Sequence, residues 1–433
     1  MKIIFKLGYL VSIALLFALT NVDITMAADA KATLDTGDTA WMLTSTVIVL
    51  MMTIPGVALF YAGMVRKRNV LATLMQSFAI TCLVTIIWMV VGYSLAFSKG
   101  NSSLIGNLDL AFLNHLTVGA INGTIPDTVF VVFQATFAII TAALITGAVA
   151  ERMKFSALLW FIGLWSVIVY SPVTFWVWGG GFLGAAGVLD FAGGTVVHIN
   201  SGVAALVAAI MLGRRKGYGS ENLAPHNVAL TMIGASLLWV GWFGFNAGSA
   251  VGANGTAGMA MAVTQIAAAA AGLSWMTVEW FHHKKPTLLG IVSGAIGGLV
   301  AITPASGFVD PMGGLIIGLA AGVVCYWGAA ILKPMMGYDD SLDVFAVHGL
   351  GGITGAILTG VFAVQAIGGT AGALEGNVGQ ILVQFQGIVA TILWSGAASA
   401  FILFGIDKVI GLRVDADAEA EGLDINQHGE MLH

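Results

Sequence analysis

The stretch Asp190-Phe-Ala-Gly-Gly-Thr-Val-Val-His-Ile-Asn200 sets a histidine eight residues after an aspartate, and Asp340-Ser-Leu-Asp-Val-Phe-Ala-Val-His348 repeats that interval. Both segments open long apolar runs, where an ionisable side chain is costly and each one is a functional candidate by default. A second echo accompanies the first, because Phe60-Tyr-Ala-Gly63 is matched by Phe245-Asn-Ala-Gly248. The meaning of these echoes depends on how many apolar segments separate them and in which direction each one runs.

The chain of 433 residues is 58% hydrophobic and only 9% charged, against about 25% charged residues in a soluble domain. Its apolar bulk must face lipid. With a net charge of -5 and no basic run dense enough to follow a phosphate backbone, nucleic acid is a poor candidate partner and none is expected. Cys82 and Cys325 each lie inside apolar runs, where a thiol behaves as a small buried hydrophobe, so no disulfide framework is expected.

A membrane span needs about 20 predominantly apolar residues. Ten uncharged windows qualify: 39–65, 69–98, 128–150, 155–189, 191–213, 222–278, 286–309, 311–332, 344–374 and 376–406. The sixth is too long for one helix and breaks at the glycine-rich stretch 248–258, which gives eleven helices. Short cytoplasmic loops are rich in Lys and Arg. Of the fourteen basic residues after Lys31, thirteen fall on one side of this arrangement and only Lys99 on the other. The sequence therefore predicts an all-α polytopic membrane protein with its amino end outside and its carboxyl end inside.

Five helices separate the two Asp/His elements, one entering from each side, so the chain reads as two inverted five-helix repeats plus a final helix. Eight residues at about 1.5 Å each carry a histidine roughly 12 Å inward, close to half of a roughly 30 Å hydrocarbon core. His198 and His348 are thus expected to meet near the midplane, where inverted repeats place a conduction site. The competing reading has each imidazole bonding only a neighbouring helix. Glycines such as Gly294, Gly298, Gly314 and Gly318 are expected to be packing surfaces.

Lys2 and Lys6 precede the apolar run 7–19 and then small residues near Ala27, the pattern of a cleaved signal peptide over residues 1–27. An uncleaved first helix is the other reading. Residues 28–411 then form the membrane domain, and 412–433 an acidic tail.

The strings 190–200 and Trp242-Phe-Gly-Phe-Asn-Ala-Gly-Ser249 closely resemble signatures of the ammonium transporter family (Amt/Mep/Rh). The similarity extends from about Ala40 through the tail and takes in Gly56 to Arg68, Val131 to Arg152, Trp178-Gly-Gly-Gly181 and Asp343 to Gly352. The resemblance implies a homotrimer with one pore per subunit, serving nitrogen utilization in the bacterial inner (cytoplasmic) membrane. It implies that Trp178, Phe137 and Ser249 recruit ammonium outside, that Phe137 and Phe245 form a stacked gate, and that His198 and His348 line the pore, with Trp242 flanking it. A cation over an aromatic face gains roughly 0.5–2 kcal/mol, and a hydroxyl accepts an N–H bond that potassium cannot offer. From composition alone Trp178 better suits an interfacial belt, and only the resemblance reverses that reading. Asp190 matches an acidic residue near the outer site, acting either as a backbone anchor or as a proton acceptor. The Trp and Ser favour the bacterial ammonium branch over the Rhesus branch.

An apolar pore opposes a bare cation, so ammonium is expected to deprotonate and cross the narrowest part as ammonia, with the histidines either stabilising the neutral species or relaying its separated proton, so that net passage is of ammonia or of ammonium. The segments Gly411-Leu-Arg-Val414 and Glu421-Gly-Leu-Asp424 resemble the family's cytoplasmic regulatory segment, which implies a PII-type signalling partner. An ion-coupled symporter of another small solute would want more carboxylates facing its cavity. An ammonium sensor with little flux is a further alternative. A metalloenzyme lacks a third ligand beside the two histidines, and neither catalysis, a metal nor a cofactor is expected.

Overall fold

The computed structural model describes residues 33–100 and 102–432. The expected signal peptide lies outside them. Eleven apolar helices follow in order: α1 (Thr36–Met64), α2 (Lys67–Phe97), α3 (Asp127–Val149), α4 (Phe155–Ala185), α5 (Gly194–Leu212), α6 (Val228–Gly248), α7 (Gly255–His283), α8 (Leu288–Ile302), α9 (Pro311–Met336), α10 (Phe345–Phe362) and α11 (Gly379–Val409). The long sixth window breaks where expected, between Gly248 and Gly255. Among the described residues the only strands are the pair Ile121–Asn122 and Ile125–Pro126, in the loop before α3.

Two spans depart from their windows: α10 stops at Phe362, well short of residue 374, and α8 stops at Ile302. At 15 residues, α8 is about 22 Å long, too short to cross alone, and the apolar residues after it form a buried turn instead of more helix. Thr303 and Ser306 in that turn are fully buried. Irregular backbone survives at membrane depth only where protein surrounds it, and here the turn lies against the start of α5, with Phe191 N donating to Pro304 O at 3.1 Å.

The packing has the symmetry that the sequence echoes imply. α1 and α6 lie antiparallel, with Gly63 against Thr231 at one end and Gly248 against Ser45 at the other. α5 and α10 both begin with a wide π-helical turn, at Gly194–Ile199 and Phe345–Leu350, and each turn carries its histidine. The two helices cross at Gly202, where an added Cβ would stand 2.3 Å from the amide nitrogen of Gly349. Only glycine allows backbones this close. Gly298 and Gly318 likewise press on the Ala267 carbonyl of α7. α3, with 83% of its most apolar stretch buried, is enclosed by the rest and carries Phe137 into the core.

The acidic tail is docked. Two short helices, α12 (Ala416–Glu421) and α13 (Leu423–His428), lie under α2, where Val414, Ala418 and Leu423 bury a small cluster with Ala72.

Candidate functional site

Working inward from the face opposite the tail, the side chains picked out by sequence fall into one line. Trp178 stands in the turn that interrupts α4, half-buried, its ring 5.9 Å from Phe137 and edge-on to it at 85°. Phe137 on α3 and Phe245 on α6 stack at 4.1 Å and 23°. Phe245 is followed by His198 at 6.1 Å. The imidazoles of His198 and His348 are nearly parallel at 5.3 Å, with Nδ1 to Nδ1 at 3.2 Å. The geometry thus brings the histidines into contact, as the repeat requires.

Trp242 stacks on His198 at 5.4 Å and 20°, and its Nε1 donates to Thr303 Oγ1 at 2.9 Å. The buried turn after α8 therefore fixes the ring that backs the first histidine. No sequence signal pointed to Thr303, because a threonine in an apolar run has no distinguishing periodicity.

Ser249 lies one helical turn beyond Phe245 and is half-buried. Its hydroxyl donates to Phe245 O at 2.8 Å, so its lone pairs remain available to accept. Asp190 is buried and spends both oxygens on the backbone. Oδ1 accepts from Gly193 N and Gly194 N at 3.0 and 2.6 Å, and Oδ2 from Thr195 N and Val196 N at 2.9 and 3.1 Å. The orphan N–H groups at the start of α5 are satisfied this way. Its carbonyl also accepts from Trp178 Nε1 at 2.8 Å, which ties the outer ring to the same anchor.

Beside Phe245 and the histidines lies a cavity of about 10 Å³, walled by Ile140, Leu144, Leu238, Phe245, Ile296 and both imidazoles. One molecule the size of water fills such a space. A second cavity, of about 40 Å³, lies on the tail side of His348 and reaches Tyr61, Ser293 and Asp343. Tyr61 borders both; it belongs to the Phe60–Gly63 echo, which marked its segment without assigning it a place at the pore.

On the tail-bearing face, Glu151 gathers Arg66 N at 2.7 Å, Asn69 Nδ2 at 3.1 Å and Arg215 Nη1 at 3.3 Å. Burial opposes its charge, and Arg215 and Arg66 outweigh that, holding the carboxyl below its ordinary value. Asn69 Oδ1 in turn accepts from Leu423 N at 2.9 Å, Asp424 Oδ1 from Ala72 N at 2.7 Å, and Glu419 pairs with Arg413 at 2.6 Å. The tail is thus bonded to the first turns of α2.

Comparisons with known proteins agree with this architecture. The profile of the Ammonium Transporter Family matches residues 40–433. An ammonium transporter of Aquifex aeolicus is 50% identical over 93% of this chain and 95% of its own. The crystal structure of Candida albicans Mep2 superposes with a TM-score of 0.83 at 35% identity, covering 89% of this chain and 87% of the other. A structure titled Sensor Amt Protein gives 0.85 at 30% identity, covering 90% and 98%. A multi-pass membrane protein with this helix order and these relatives belongs to the ammonium transporter family.

Proposed function

We propose that this ammonium transporter recruits ammonium between Trp178, Phe137 and Ser249, strips its proton, and passes ammonia between Phe137 and Phe245 to the His198–His348 pair. The observation that carries this reading is the cavity beside the imidazoles, which is water-sized, lined mainly by apolar side chains and bordered by Phe245 of the stacked phenyl pair. Desolvating a bare cation there costs several kcal/mol, whereas a neutral molecule enters with its hydrogen bonds replaced by imidazole nitrogens. Asp190 acts in this scheme as the anchor of α5 and of Trp178, since four amides take up its carboxylate.

The orientation follows from the thirteen basic residues on the tail side, which puts the tail in the cytoplasm and the Trp178 end outside. The setting is the bacterial cytoplasmic membrane, the assembly a homotrimer, and residues 412–433 a regulatory segment read by a PII-type protein. The chain has no catalytic role in this scheme. A sensor with little flux is the second reading, prompted by the likeness to Sensor Amt Protein. Both are tested in liposomes containing the purified chain, with ammonium supplied on one side and current and internal pH recorded together. Sustained flux supports transport, and binding without flux supports the sensor.

A further inference from the structure

Ser249 and Phe137 stand on different helices, and one side chain of a third helix is bonded to the connections beside both. Asp38, in the first turn of α1, accepts from Ala253 N through Oδ1 at 2.7 Å and from Thr124 Oγ1 through Oδ2 at 2.5 Å. Ala253 lies in the link between α6 and α7, four residues after Ser249. Thr124 sits in the turn of the hairpin 121–126, which leads straight into α3 at Asp127 and so toward Phe137. Its backbone is held as well, with Asp35 N donating to Thr124 O at 2.8 Å.

The link after Ser249 needs such a hold. Val251 stands at φ 52°, a left-handed backbone that a β-branched residue avoids. Such a conformation persists only where its surroundings impose it, and it gathers at sites of function. Here α1 supplies the surroundings from positions 38, 41 and 45, a spacing that shares one helix face. Trp41 Nε1 donates to Ala247 O at 3.4 Å. Ser45 lies against Gly248, where an added Cβ would meet its Cβ at 2.9 Å, and at Gly252 an added Cβ would stand 3.0 Å from Asp38 Oδ1. These contacts at 247, 248, 252 and 253 bracket Ser249 on both sides, and none of them consumes its hydroxyl.

We propose that Asp38 is a positioning residue of the outer recruitment site, its carboxylate holding the 249–253 link to the hairpin ahead of α3 and so fixing the place of the Ser249 hydroxyl. This rests on the reading that Ser249 accepts an N–H bond from ammonium. Without the two Asp38 bonds Val251 is free to leave its left-handed conformation, and the end of α6 loosens with it. What is lost is directed binding at the mouth, with the gate and the histidines untouched. Half-saturation then moves to higher ammonium while maximal flux stays, the mark of binding lost equally at every stage of passage.

The test measures flux against ammonium concentration for the full chain in liposomes, with assembly checked by gel filtration. Ammonium affinity read by calorimetry makes the same comparison if flux is low. Asp38→Ala removes both bonds and is expected to raise the half-saturating concentration about tenfold, the size of one hydrogen bond to a charged group. Asp38→Asn keeps an oxygen for Ala253 N and an amide that donates to Thr124 Oγ1, and is expected to restore most of the affinity. The deciding variant joins Asp38→Ala to Ser249→Ala: a residue that acts through the serine hydroxyl adds nothing once that hydroxyl is gone. Additive losses overturn the proposal. So does an Asp38→Asn as weak as Asp38→Ala, which would give the effect to the charge alone. Unchanged half-saturation in Asp38→Ala overturns it and leaves the outer site standing where Ser249→Ala weakens binding; where Ser249→Ala has no effect, both readings fall. Should Asp38→Ala not assemble, Thr124→Val, which removes one of the two bonds and keeps the carboxylate, is read in the same way alone and with Ser249→Ala.

Discussion

The Nδ1 atoms of His198 and His348 stand 3.2 Å apart, so a single proton serves the contact and the two neutral rings must hold opposite tautomers. One presents Nε2–H and the other a bare Nε2 to the rest of the pore. Removing either ring strands the nitrogen of the other. His198→Ala and His348→Ala are therefore expected to be non-additive, with a coupling of about 0.5–3 kcal/mol in a double-mutant cycle on ammonium flux. Additive losses would show that the rings act separately.

Trp178 is held by the Asp190 carbonyl and meets Phe137 edge-on. Trp178→Leu removes the cation-π face, worth roughly 0.5–2 kcal/mol, and is expected to lower the ratio of ammonium to potassium flux correspondingly. An unchanged flux ratio would return Trp178 to a packing role.

The Gly202 crossing predicts an effect without any change to a pore side chain. Gly202→Ala brings a Cβ to 2.3 Å from Gly349 N, and the only relief is to part α5 from α10. Overpacking of this kind costs typically 1–3 kcal/mol, and the histidines separate with the helices. We expect assembled protein with strongly reduced flux. Wild-type flux in Gly202→Ala would mean that the pore tolerates a wider crossing.

Acid should weaken the tail-bearing face. The Glu151 carboxyl is held below its ordinary 4.5 by Arg215 and Arg66 against burial. A depressed value contributes stability above the unfolded pKa, and that stability is lost as pH falls through the folded one. Protease access to residues 412–433 is thus expected to rise below about pH 4.5. Glu151→Gln, which leaves Arg215 and Arg66 short of a counter-charge, is expected to expose the tail already at neutral pH, with a loss on the order of 3–5 kcal/mol. Equal protection of both proteins across that range would remove Glu151 from the clasp.

The spans were legible because this chain keeps its charge in loops and near helix ends, so most uncharged windows marked a helix to within a few residues. α8 and α10 were the exceptions: their windows ran on through 303–309 and 363–374, and an apolar turn has the composition of a span. The histidine contact was legible from the eight-residue spacing, since distance along a helix is distance across the membrane. The bond from Trp178 to the Asp190 carbonyl was not, because a backbone acceptor carries no residue-specific signal. Tail docking was hidden for a related reason. It depends on amide bonds from Leu423 and Ala72 and on three modest apolar side chains, which sequence cannot distinguish from a solvated acidic stretch.

The cavity beside the imidazoles admits one water-sized body and no more. Traffic through it is single-occupancy: a second ammonia waits until the first has left, and no file of waters fits alongside to carry a hydrated ion past the rings. Flux through this pore should then saturate hyperbolically with ammonia concentration, and any steeper dependence would have to originate outside the pore, as at the tail. Methylamine, larger by one carbon, can pass only when a wall residue such as Ile140 or Leu238 yields. Its passage would report how stiff that wall is and leave the affinity of the outer site unmeasured.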